Sequence, residues 1–231
     1  MSDFVFGKNS FLEALNNNRV KKVYLLKNSS FIKELDEKNI PYEIVNKAKL
    51  DGLTRKANHQ GVVAETFGFK FSKIDDLIKD KNGLILVLDG LKDPHNLGAI
   101  IRTCECAGVD GLIYRKHNAV KINDTVAKVA SGALEYVKVV EVSNIVSTLK
   151  VLKEKGYWIV GSDGSAKQMY DDLDYAMNTV LVVGSEGEGI SRLVKEECDF
   201  MVKLPLNGKV NSLNASVAAG ILVYNVLNKR K

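Results

Sequence analysis

The chain has 231 residues, of which 45% are hydrophobic and 26% charged, a composition typical of globular proteins. No apolar run approaches the ~20 residues of a membrane-spanning helix. The N-terminus has no basic region followed by an apolar stretch, so we expect no signal peptide. An odd number of cysteines, two of them only two residues apart, does not indicate a disulfide framework. We therefore expect a cytoplasmic protein with no membrane partner.

Positive charge is concentrated at the front of the chain. The net charge is +5, and residues 1–70 hold 12 Lys and Arg against 8 Asp and Glu. Residues 71–231 are nearly balanced, with 21 against 20. A basic front segment suggests contact with a polyanion such as a nucleic acid, although lysines also serve simply to solvate a surface.

The front segment alternates helical and extended patterns. We predict helices over 11–18, 30–39 (opened by a serine cap) and 49–57, and strands over 20–26, 41–45 and 61–67. This pattern predicts a small α/β domain over residues 1–70. The next stretch, 71–82, is rich in charge and poorer in apolar residues, so we interpret it as a linker.

A second alternation fills residues 83–231. We predict strands over 83–91, 111–115, 157–163, 179–187 and 200–206, and helices over 97–108, 124–133, 145–156 and 212–229. The first strand is almost continuously apolar, as expected for a strand that is covered on both faces. Repeated strand–helix units predict a mostly parallel sheet with helices on both faces, in an α/β domain.

Three polar loops, over 89–103, 184–191 and 204–216, follow predicted strands. In parallel sheets, ligands bind beyond the carboxyl ends of the strands, so these loops are the candidate site. The glycines of the second loop have the wrong spacing for a dinucleotide fingerprint, and Glu186 and Glu188 lie where phosphate would bind. No phosphate-binding P-loop motif occurs either, which disfavours a nucleotide cofactor held by its phosphates.

The three loops resemble the three motifs of TrmH-type SPOUT RNA methyltransferases. Asn96, Gly98 and Arg102 match the first motif, and the segment 184–189 matches its G-[SN]-E-G-x-G. The third motif is matched by Leu204-Pro205-Leu206 and Ser212-Leu213-Asn214. The front domain is similar to the ribosomal-protein-like extension of the RlmB-like subgroup, which the segment "HQGVVA" (59–64) closes in the same way.

The resemblance implies transfer of a methyl group from S-adenosylmethionine to a ribose 2′-hydroxyl of RNA. It also implies a deep trefoil knot and a homodimer, formed through the C-terminal domain, whose active site draws on both subunits. The subgroup points to a guanosine in large-subunit (23S) ribosomal RNA. Two alternatives stay open: a transfer-RNA methyltransferase, and a catalytically silent RNA-binding or ribosome-assembly factor.

The resemblance also assigns the site residues. The catalytic candidates are Asn96, Arg102, Glu186, Ser212 and Asn214. The candidates for binding the cofactor are Gly184, Leu204, Leu206, Ser212, Leu213 and Asn214. We expect Glu186 to orient Asn96 or Asn214, and a helix that starts near Ser212 to offer free N–H groups to an anionic group.

Arg102 has two interpretations. The family's arginine at this position is often assigned as the general base, but a guanidinium stays protonated with a pKa above about 12. We therefore favour a clamp on an RNA phosphate beside the ribose, with the proton passing to a phosphate oxygen or to water.

The remaining candidates concern RNA and metal. Basic residues of the front domain that could contact RNA phosphates are Lys8, Arg19, Lys21, Lys22, Arg55 and Lys56. We expect His59 to be structural or a weak RNA contact, and Trp158 to lie in the core. Cys104 and Cys106 should point to different sides of their helix, so we expect no metal site there.

Overall fold

A computed structural model describes residues 3–67, 69–210 and 212–231. The strands are β1 (Asp3–Phe6), β2 (Val20–Leu25), β3 (Tyr42–Ile44), β4 (Val62–Thr66), β5 (Leu84–Asp89), β6 (Gly111–Arg115), β7 (Val139–Val142), β8 (Trp158–Ser162), β9 (Gln168–Met169), β10 (Thr179–Gly184) and β11 (Phe200–Lys203). The helices are α1 (Lys8–Asn16), α2 (Ile32–Glu37), α3 (Lys47–Leu53), α4 (Pro94–Cys106), α5 (Asp124–Ala130), α6 (Ile145–Glu154), α7 (Arg192–Glu196) and α8 (Ala215–Lys229). Within these described ranges, no helix has both the length and the apolarity to span a bilayer.

The chain forms two compact units. The first holds the described residues up to Lys70 together with the segment Ile122–Tyr136, and the second holds Phe71–Lys121 and Val137–Lys231. The segment around α5 therefore belongs with the front of the chain, although its sequence position lies inside the predicted domain 83–231. The predicted domain limits and the trefoil knot stay predictions.

The first unit is built on a four-stranded sheet of order β1-β4-β2-β3. β4 runs antiparallel to both β1 and β2, whereas β2 and β3 are parallel. The core side chains on one face are supplied mainly by α1 and the sheet, and they include Phe11, Leu15, Val23 and Leu25. Ala127 of α5 packs against the same core. An edge strand of four residues, β1, gave no periodic signal in the sequence and was not predicted.

The predicted serine cap of the second helix is wrong. α2 begins at Ile32 behind Phe31, which makes no side-chain capping bond. The Ser29 hydroxyl instead accepts a hydrogen bond from the Phe31 N–H at 3.4 Å, closing a turn before the helix. The third helix has a genuine cap, because the Asn46 side chain accepts from the Lys49 N–H at 2.9 Å.

The second unit contains a seven-stranded sheet of order β7-β6-β5-β10-β8-β11-β9. Every neighbouring pair is parallel, which confirms the predicted α/β class with a parallel sheet. The order places β5 between β6 and β10. The direction in which the strands are added reverses there, and such a switch point leaves a crevice at the carboxyl edge of the sheet.

Helices cover both faces of this sheet. One face forms a core with α6 and α7 through Ile85, Val87, Val180, Val182, Leu149 and Val194. The alternate residues Leu86 and Leu181 are also buried and point the other way, where α8 packs on β10. On that face α4 and α8 pack together, and Gly220 of α8 faces the Thr103 side chain of α4. The expectation that Trp158 lies in the core is wrong, because this residue is 48% exposed.

The stretch 71–82, interpreted as a linker, is packed into the second unit. It contains the 3-10 helix Ile74–Leu77, and Leu77 is fully buried in the core beneath β5 and β6. The Tyr157 hydroxyl accepts a hydrogen bond from the Lys79 N–H at 2.9 Å. Burial raises the pKa of Tyr157. A Cβ at Gly111 would come within 2.4 Å of Leu77, so β6 and this segment fit closely.

We expect Leu77→Ala to destabilise the second unit by about 2–4 kcal/mol, because it removes a fully buried side chain from a close-packed site. Urea unfolding would measure the loss. Val151→Ala on α6, where the side chain is 38% exposed, is the matched control and should change stability by less than about 1 kcal/mol. Equal effects of the two substitutions would mean that 71–82 is a loose linker after all.

Candidate active site

The three predicted loops meet around one carboxylate oxygen. Glu186 Oε1 accepts hydrogen bonds from Asn96 Nδ2 at 2.9 Å, from Asn214 Nδ2 at 2.8 Å and from the Ala215 N–H at 3.3 Å. Asn214 Nδ2 also lies 2.8 Å from Asn96 Oδ1. One residue from each loop therefore belongs to a single network. This arrangement agrees with the expectation that Glu186 orients Asn96 or Asn214.

Asn214 both caps α8 and faces this network. Its Oδ1 accepts from the N–H groups of Ser216 at 2.9 Å and Val217 at 3.4 Å, while its Nδ2 is directed to Glu186. The helix begins at Ala215, three residues later than predicted, and Ser212 lies in the exposed loop before it. The expectation of free N–H groups for an external anion is wrong, because Asn214 and Glu186 already occupy them.

Glycines shape the loop that carries Glu186. Ser185 and Gly189 exchange two backbone hydrogen bonds of 3.2 and 3.0 Å, which close a tight turn around Glu186. A Cβ on Gly184 would come within 2.0 Å of the Gly189 carbonyl carbon, so no side chain fits there. Gly187 has a φ of 89°, in the left-handed region that favours glycine.

A cavity of about 240 Å³ opens beside this turn. Its walls come from the ends of β8 and β10 and from the loop before α8, and they include five of the six predicted cofactor-binding residues: Gly184, Leu204, Leu206, Ser212 and Leu213. Asp163, Glu186 and Glu188 also line it, and no Lys or Arg does among the described residues. The cavity therefore favours a cationic ligand over a phosphate group.

A second cavity, of about 170 Å³, lies on the other side of the same turn. Asn96, Lys92 and Gly90 line it, and it shares Ser185, Glu186 and Glu188 with the first. Asn96 is 5% exposed. Glu186 Oε2 receives no hydrogen bond from the described residues, so this oxygen is free to accept one from a ligand. The turn thus separates two compartments that share the carboxylates of Glu186 and Glu188.

Arg102 does not join the network. It lies six residues after Asn96, about 9 Å further along α4, on an exposed face of the helix. Within the described part of the chain its guanidinium forms no hydrogen bond or ion pair. Asn96, in contrast, points into the second cavity. A single copy of this chain therefore brings together Asn96, Glu186 and Asn214 but leaves Arg102 outside.

Two carboxylates at the site were not singled out from the sequence. Asp89, at the end of β5 and 4% exposed, accepts from the Ser191 N–H at 2.8 Å and ties β5 to the glycine-rich loop. Asp163, in the loop after β8, lies against Lys195 at 2.5 Å and accepts from the Ser165 N–H at 2.9 Å. A carboxylate at the C-terminal end of a predicted strand was the available signal for both, since Asp89 lies in 83–91 and Asp163 ends 157–163.

Electrostatics fix the charge of Asp163. Burial raises the pKa of its carboxyl, but the hydrogen bonds from Lys195 and Ser165 outweigh burial and lower the pKa to about 2. The group is therefore ionised wherever the protein is folded near neutral pH. It contributes a permanent negative charge to the wall of the first cavity.

The six basic candidates of the first unit differ in their availability. Arg19 is paired with Glu135 and donates to the Phe67 carbonyl, with 18% of its side chain exposed. Lys21 pairs with Glu65, and Lys22 pairs with Glu43. The remaining three, Lys8, Arg55 and Lys56, form no ion pair with the described residues and are exposed.

His59 organises the loop that carries two of those free cations. It is 6% exposed, its Nδ1 accepts from the Gly61 N–H at 2.9 Å, and its Nε2 lies 3.2 Å from Asp51. The adjacent Gln60 side chain accepts from the Lys8 N–H at 2.8 Å, which brings the start of α1 to this loop. The structural interpretation of His59 is confirmed.

The cysteines lie as predicted with respect to one another. Cys104 is buried and Cys106 is exposed, on different sides of α4. Burial raises the pKa of the Cys104 thiol to about 12. Among the described residues, no cluster of three or more His, Cys, Asp or Glu side chains is placed to hold a metal ion.

Comparison with known proteins places this geometry in a family. Residues 83–224 match the model of the SpoU rRNA methylase family, and residues 4–72 match the model for RNA 2′-O ribose methyltransferase substrate binding. The chain belongs to the SpoU rRNA methylase family. The recognition of TrmH-type motifs in the sequence is thereby confirmed, and the chain is an RNA methyltransferase of this family.

Individual relatives agree with this methylase assignment. YacO of Bacillus subtilis, named as a TrmH family tRNA/rRNA methyltransferase, is 43% identical over 240 residues that cover 99% of this chain and 96% of YacO. The TrmH/SpoU tRNA-modifying enzyme of A. aeolicus is 35% identical, with a TM-score of 0.59, over 68% of this chain and 79% of that one.

The fold of the whole methylase is also known from more distant proteins. The SpoU methyltransferase AviRb from Streptomyces viridochromogenes, solved in complex with AdoMet, superposes with a TM-score of 0.86. The superposition covers 98% of this chain and 89% of AviRb at 24% identity. At that identity the likeness shows the SPOUT fold alone.

We expect Asp163→Asn to destabilise the methylase at pH 7 by about 1–2 kcal/mol, after allowance for the 14% exposure of the side chain. The carboxyl protonates near 3.8 in the unfolded chain and near 2 in the folded one. The stabilisation is therefore complete above pH 4 and is lost as the pH falls toward 2. Urea unfolding between pH 7 and pH 3 would measure it, with the exposed Asp80→Asn as control. A difference that stays constant with pH would contradict the assignment.

Proposed function

We propose that this methylase transfers a methyl group from S-adenosylmethionine to a ribose 2′-hydroxyl of RNA, and that its target is a guanosine of large-subunit (23S) ribosomal RNA. The observation that carries the proposal is the Asn96–Glu186–Asn214 network, which stands between two cavities, of which we assign the first to the cofactor and the second to the ribose. Membership of the family and the substrate-binding match over residues 4–72 support the 2′-hydroxyl as the acceptor.

The residues of the first cavity fit this cofactor. Gly184 and Gly187 let backbone groups approach a ligand closely, and Leu204, Leu206 and Leu213 offer apolar contacts to an adenine ring. Asp163 and Glu188 offer negative charge to a ligand that carries both an ammonium and a sulfonium. When bound, S-adenosylmethionine supplies an electrophilic methyl group that needs no metal.

The chain's own residues supply orientation and hold charge in place. Three donors fix Glu186 Oε1, so Oε2 is presented in a defined direction at the boundary of the two cavities. Asn96 keeps one N–H that is not used by Glu186, and that N–H can hold a ribose oxygen in the second cavity. Oriented reactants alone can lower the barrier by as much as about 7–11 kcal/mol.

The proton of the ribose hydroxyl is removed by a group outside this network. We assign Arg102 to clamp the phosphate next to the target ribose, so that the hydroxyl proton passes to a phosphate oxygen or to water. A guanidinium suits the clamp because it presents paired donors to a phosphate, and its permanent charge makes it a poor base.

Arg102 reaches the site if the enzyme is a homodimer formed through α8. Val217, Ile221 and Tyr224 of α8 are 49%, 37% and 48% exposed, and their helical spacing forms an exposed apolar stripe along the helix. α8 packs on α4 at Gly220 and Thr103, so the exposed Arg102 adjoins this stripe. A second copy that covers the stripe would meet Arg102 and could receive it in its own site.

We assign RNA contact by the first unit to Lys8, Arg55 and Lys56, the three of the six candidates that form no ion pair with the described residues. Phosphate contacts of this kind position a folded RNA without reading its sequence. A ribosomal RNA substrate places the enzyme in the cytoplasm. The A. aeolicus relative, named as a tRNA-modifying enzyme, favours transfer RNA as the second candidate substrate.

The activity is tested by tritium transfer. Labelled S-adenosylmethionine is incubated with the full chain and with large-subunit ribosomal RNA from cells lacking the enzyme, and the RNA is then digested to nucleosides. We expect label in 2′-O-methylguanosine, with a rate reduced by about 100-fold or more in Arg102→Ala. Arg102→Lys, which keeps the charge but loses the paired donors, should retain intermediate activity if the clamp is correct.

The other outcomes separate the alternatives. Label only in transfer RNA supplied in parallel would replace the ribosomal target with the second candidate. Absence of label with either RNA, together with no heat of S-adenosylmethionine binding in calorimetry, would favour a silent RNA-binding factor. Full activity of Arg102→Ala would remove Arg102 from the mechanism.

The shared site is tested by mixing two inactive variants. If Arg102 acts in the partner's site, a heterodimer of Arg102→Ala and Asn96→Ala contains one complete site, and random exchange should restore about a quarter of wild-type activity. If both residues act in the same chain, no mixture regains activity. Calorimetric binding of S-adenosylmethionine by each variant would show that both are folded.

The interface itself is tested with Ile221→Glu, which we expect to shift sedimentation from dimer to monomer and to abolish methyl transfer. Val151→Glu is the matched control, because Val151 is an equally exposed apolar residue on α6. A wild-type chain that sediments as a monomer at the concentration of the assay would refute the dimer.

A further inference from the structure

A second set of cations lies next to the active site, in the methylase unit itself. Lys92 follows β5, Arg115 is the last residue of β6, and Lys116 and Lys121 follow β6. We call these four residues the basic rim. β5 and β6 are parallel neighbours, with Leu88 opposite Tyr114, so their carboxyl ends and the loops that follow lie side by side. A hydrogen bond of 3.0 Å from the Val120 N–H to the Leu91 carbonyl joins the two loops.

The charge of the rim is largely uncompensated. Lys92, Lys116 and Lys121 are exposed, and none of their ammonium groups forms an ion pair or hydrogen bond with the described residues. Some other lysines of this unit are neutralised by carboxylates, as in the Lys153–Asp199 and Lys195–Asp163 pairs of 2.9 and 2.5 Å. The segment 115–121 contains three cations and no carboxylate. Unpaired cations side by side repel one another, so an anionic partner would stabilise them.

Arg115 is held in place at the base of the rim. Its guanidinium lies 3.4 Å from Asp89 Oδ1, and the other Asp89 oxygen accepts from the Ser191 N–H of the glycine-rich loop. The Arg115 Nε is buried and has no hydrogen-bond partner among the described residues. The rim is thus connected through one buried carboxylate to the loop that carries Glu186. Asp93, next to Lys92 in the chain, accepts from the His95 N–H as the cap of α4, and Glu186 and Glu188 line the second cavity together with Lys92.

A groove continues from the active site to the rim. Lys92 lines the second cavity together with Asn96 and Glu186. It also lines a cavity of about 390 Å³ between the two loops, whose other walls are Asn118, Ala119 and Val120. One lysine is therefore common to the compartment assigned to the ribose and to the groove lined by Asn118, Ala119 and Val120, which lie between Lys116 and Lys121 in the chain.

From this continuity we propose that the basic rim binds the RNA strand adjacent to the target nucleotide, with Lys92 at the phosphate nearest the second cavity and with Lys116 and Lys121 on phosphates further along. The rim supplies affinity and register for the reacting strand, independently of the front unit. The proposal rests on the RNA methyltransferase activity of the family and not on the identity of the target guanosine.

The test uses the full chain and the double variant Lys116→Gln, Lys121→Gln. Deproteinised total RNA from cells lacking the enzyme is the probe, since it contains both ribosomal and transfer RNA. We expect RNA binding to weaken about tenfold, and the slope of log affinity against log salt to fall by about 1.4–1.8, as for two lost phosphate contacts. In methyl transfer, KM for RNA should rise about tenfold with kcat changed less than about twofold.

Lys73→Gln, Lys81→Gln is the charge-matched control. Both lysines are exposed and precede β5, at the opposite edge of the sheet, so this variant should keep the wild-type salt slope. Calorimetric binding of S-adenosylmethionine should be unchanged in both double variants. Lys92→Gln tests the near end of the groove and should raise KM on its own.

Two results would overturn the proposal. The rim variant and the control could lose the same affinity and slope, which would mean that general charge attracts the RNA. Alternatively, kcat could fall while KM and the salt slope stay unchanged, which would mean that the loop shapes the site without touching RNA. Because the salt slope is a binding measurement, it decides the question even if naked RNA proves to be a poor substrate. Loss of methylation with intact rim binding would count against the proposed target alone.

Discussion

The site depends on keeping one carboxylate oxygen fully hydrogen-bonded. Glu186 Oε1 takes donors from a helix side chain, from the cap of a second helix and from the first N–H of that helix. Each donor would lose free energy without its acceptor, because polar groups that are partly buried cost about 1–3 kcal/mol when unpaired. These hydrogen bonds therefore hold the three loops in one arrangement. The Glu186 carboxylate also lies at the N-terminus of α8, which is the positive end of the helix dipole.

The parallel sheet explains why such a network can exist at all. β5 and β10 are neighbours, so residues that follow them start from the same edge, and α8 returns to that edge after β11. Gly184 allows the chain to fold back on itself at a distance no side chain would permit. The steric constraint at Gly184 and the hydrogen bonds at Glu186 act on the same short turn. The first leaves no room for a side chain, and the second fix the position of the carboxylate. This turn divides the crevice into two compartments.

Much of this arrangement could be predicted from the chain. Long apolar strands such as β5 and the strand–helix alternation set the fold class, and polar loops after strands marked the edge where Asn96, Glu186 and Asn214 meet. The wrong predictions concern local features of the structure. The start of α8 was misplaced because Ser212 and Asn214 are both suitable cap residues, and only the hydrogen bonds of Asn214 show which of them caps the helix. Trp158 was assigned to the core on hydrophobicity alone, which takes no account of a strand's neighbours. β1, β7 and β9 are short strands whose pairing is decided by partners distant in sequence.

The availability of the cations was predicted least well, because the sequence gives their number but does not show which of them are neutralised by ion pairs. Three of the six front-unit candidates form ion pairs with acidic residues. The three rim cations at and after the end of β6 were not singled out from the sequence, because so few of them do not stand out in a nearly balanced segment. An ion pair at the surface is worth little to stability but removes a cation from the field that a polyanion meets. The distribution of unpaired cations, rather than the total, therefore decides where RNA can bind. The unpaired cations of this protein include Lys8, Arg55 and Lys56 in the first unit, and Lys92, Lys116 and Lys121 around the groove that leads to Asn96.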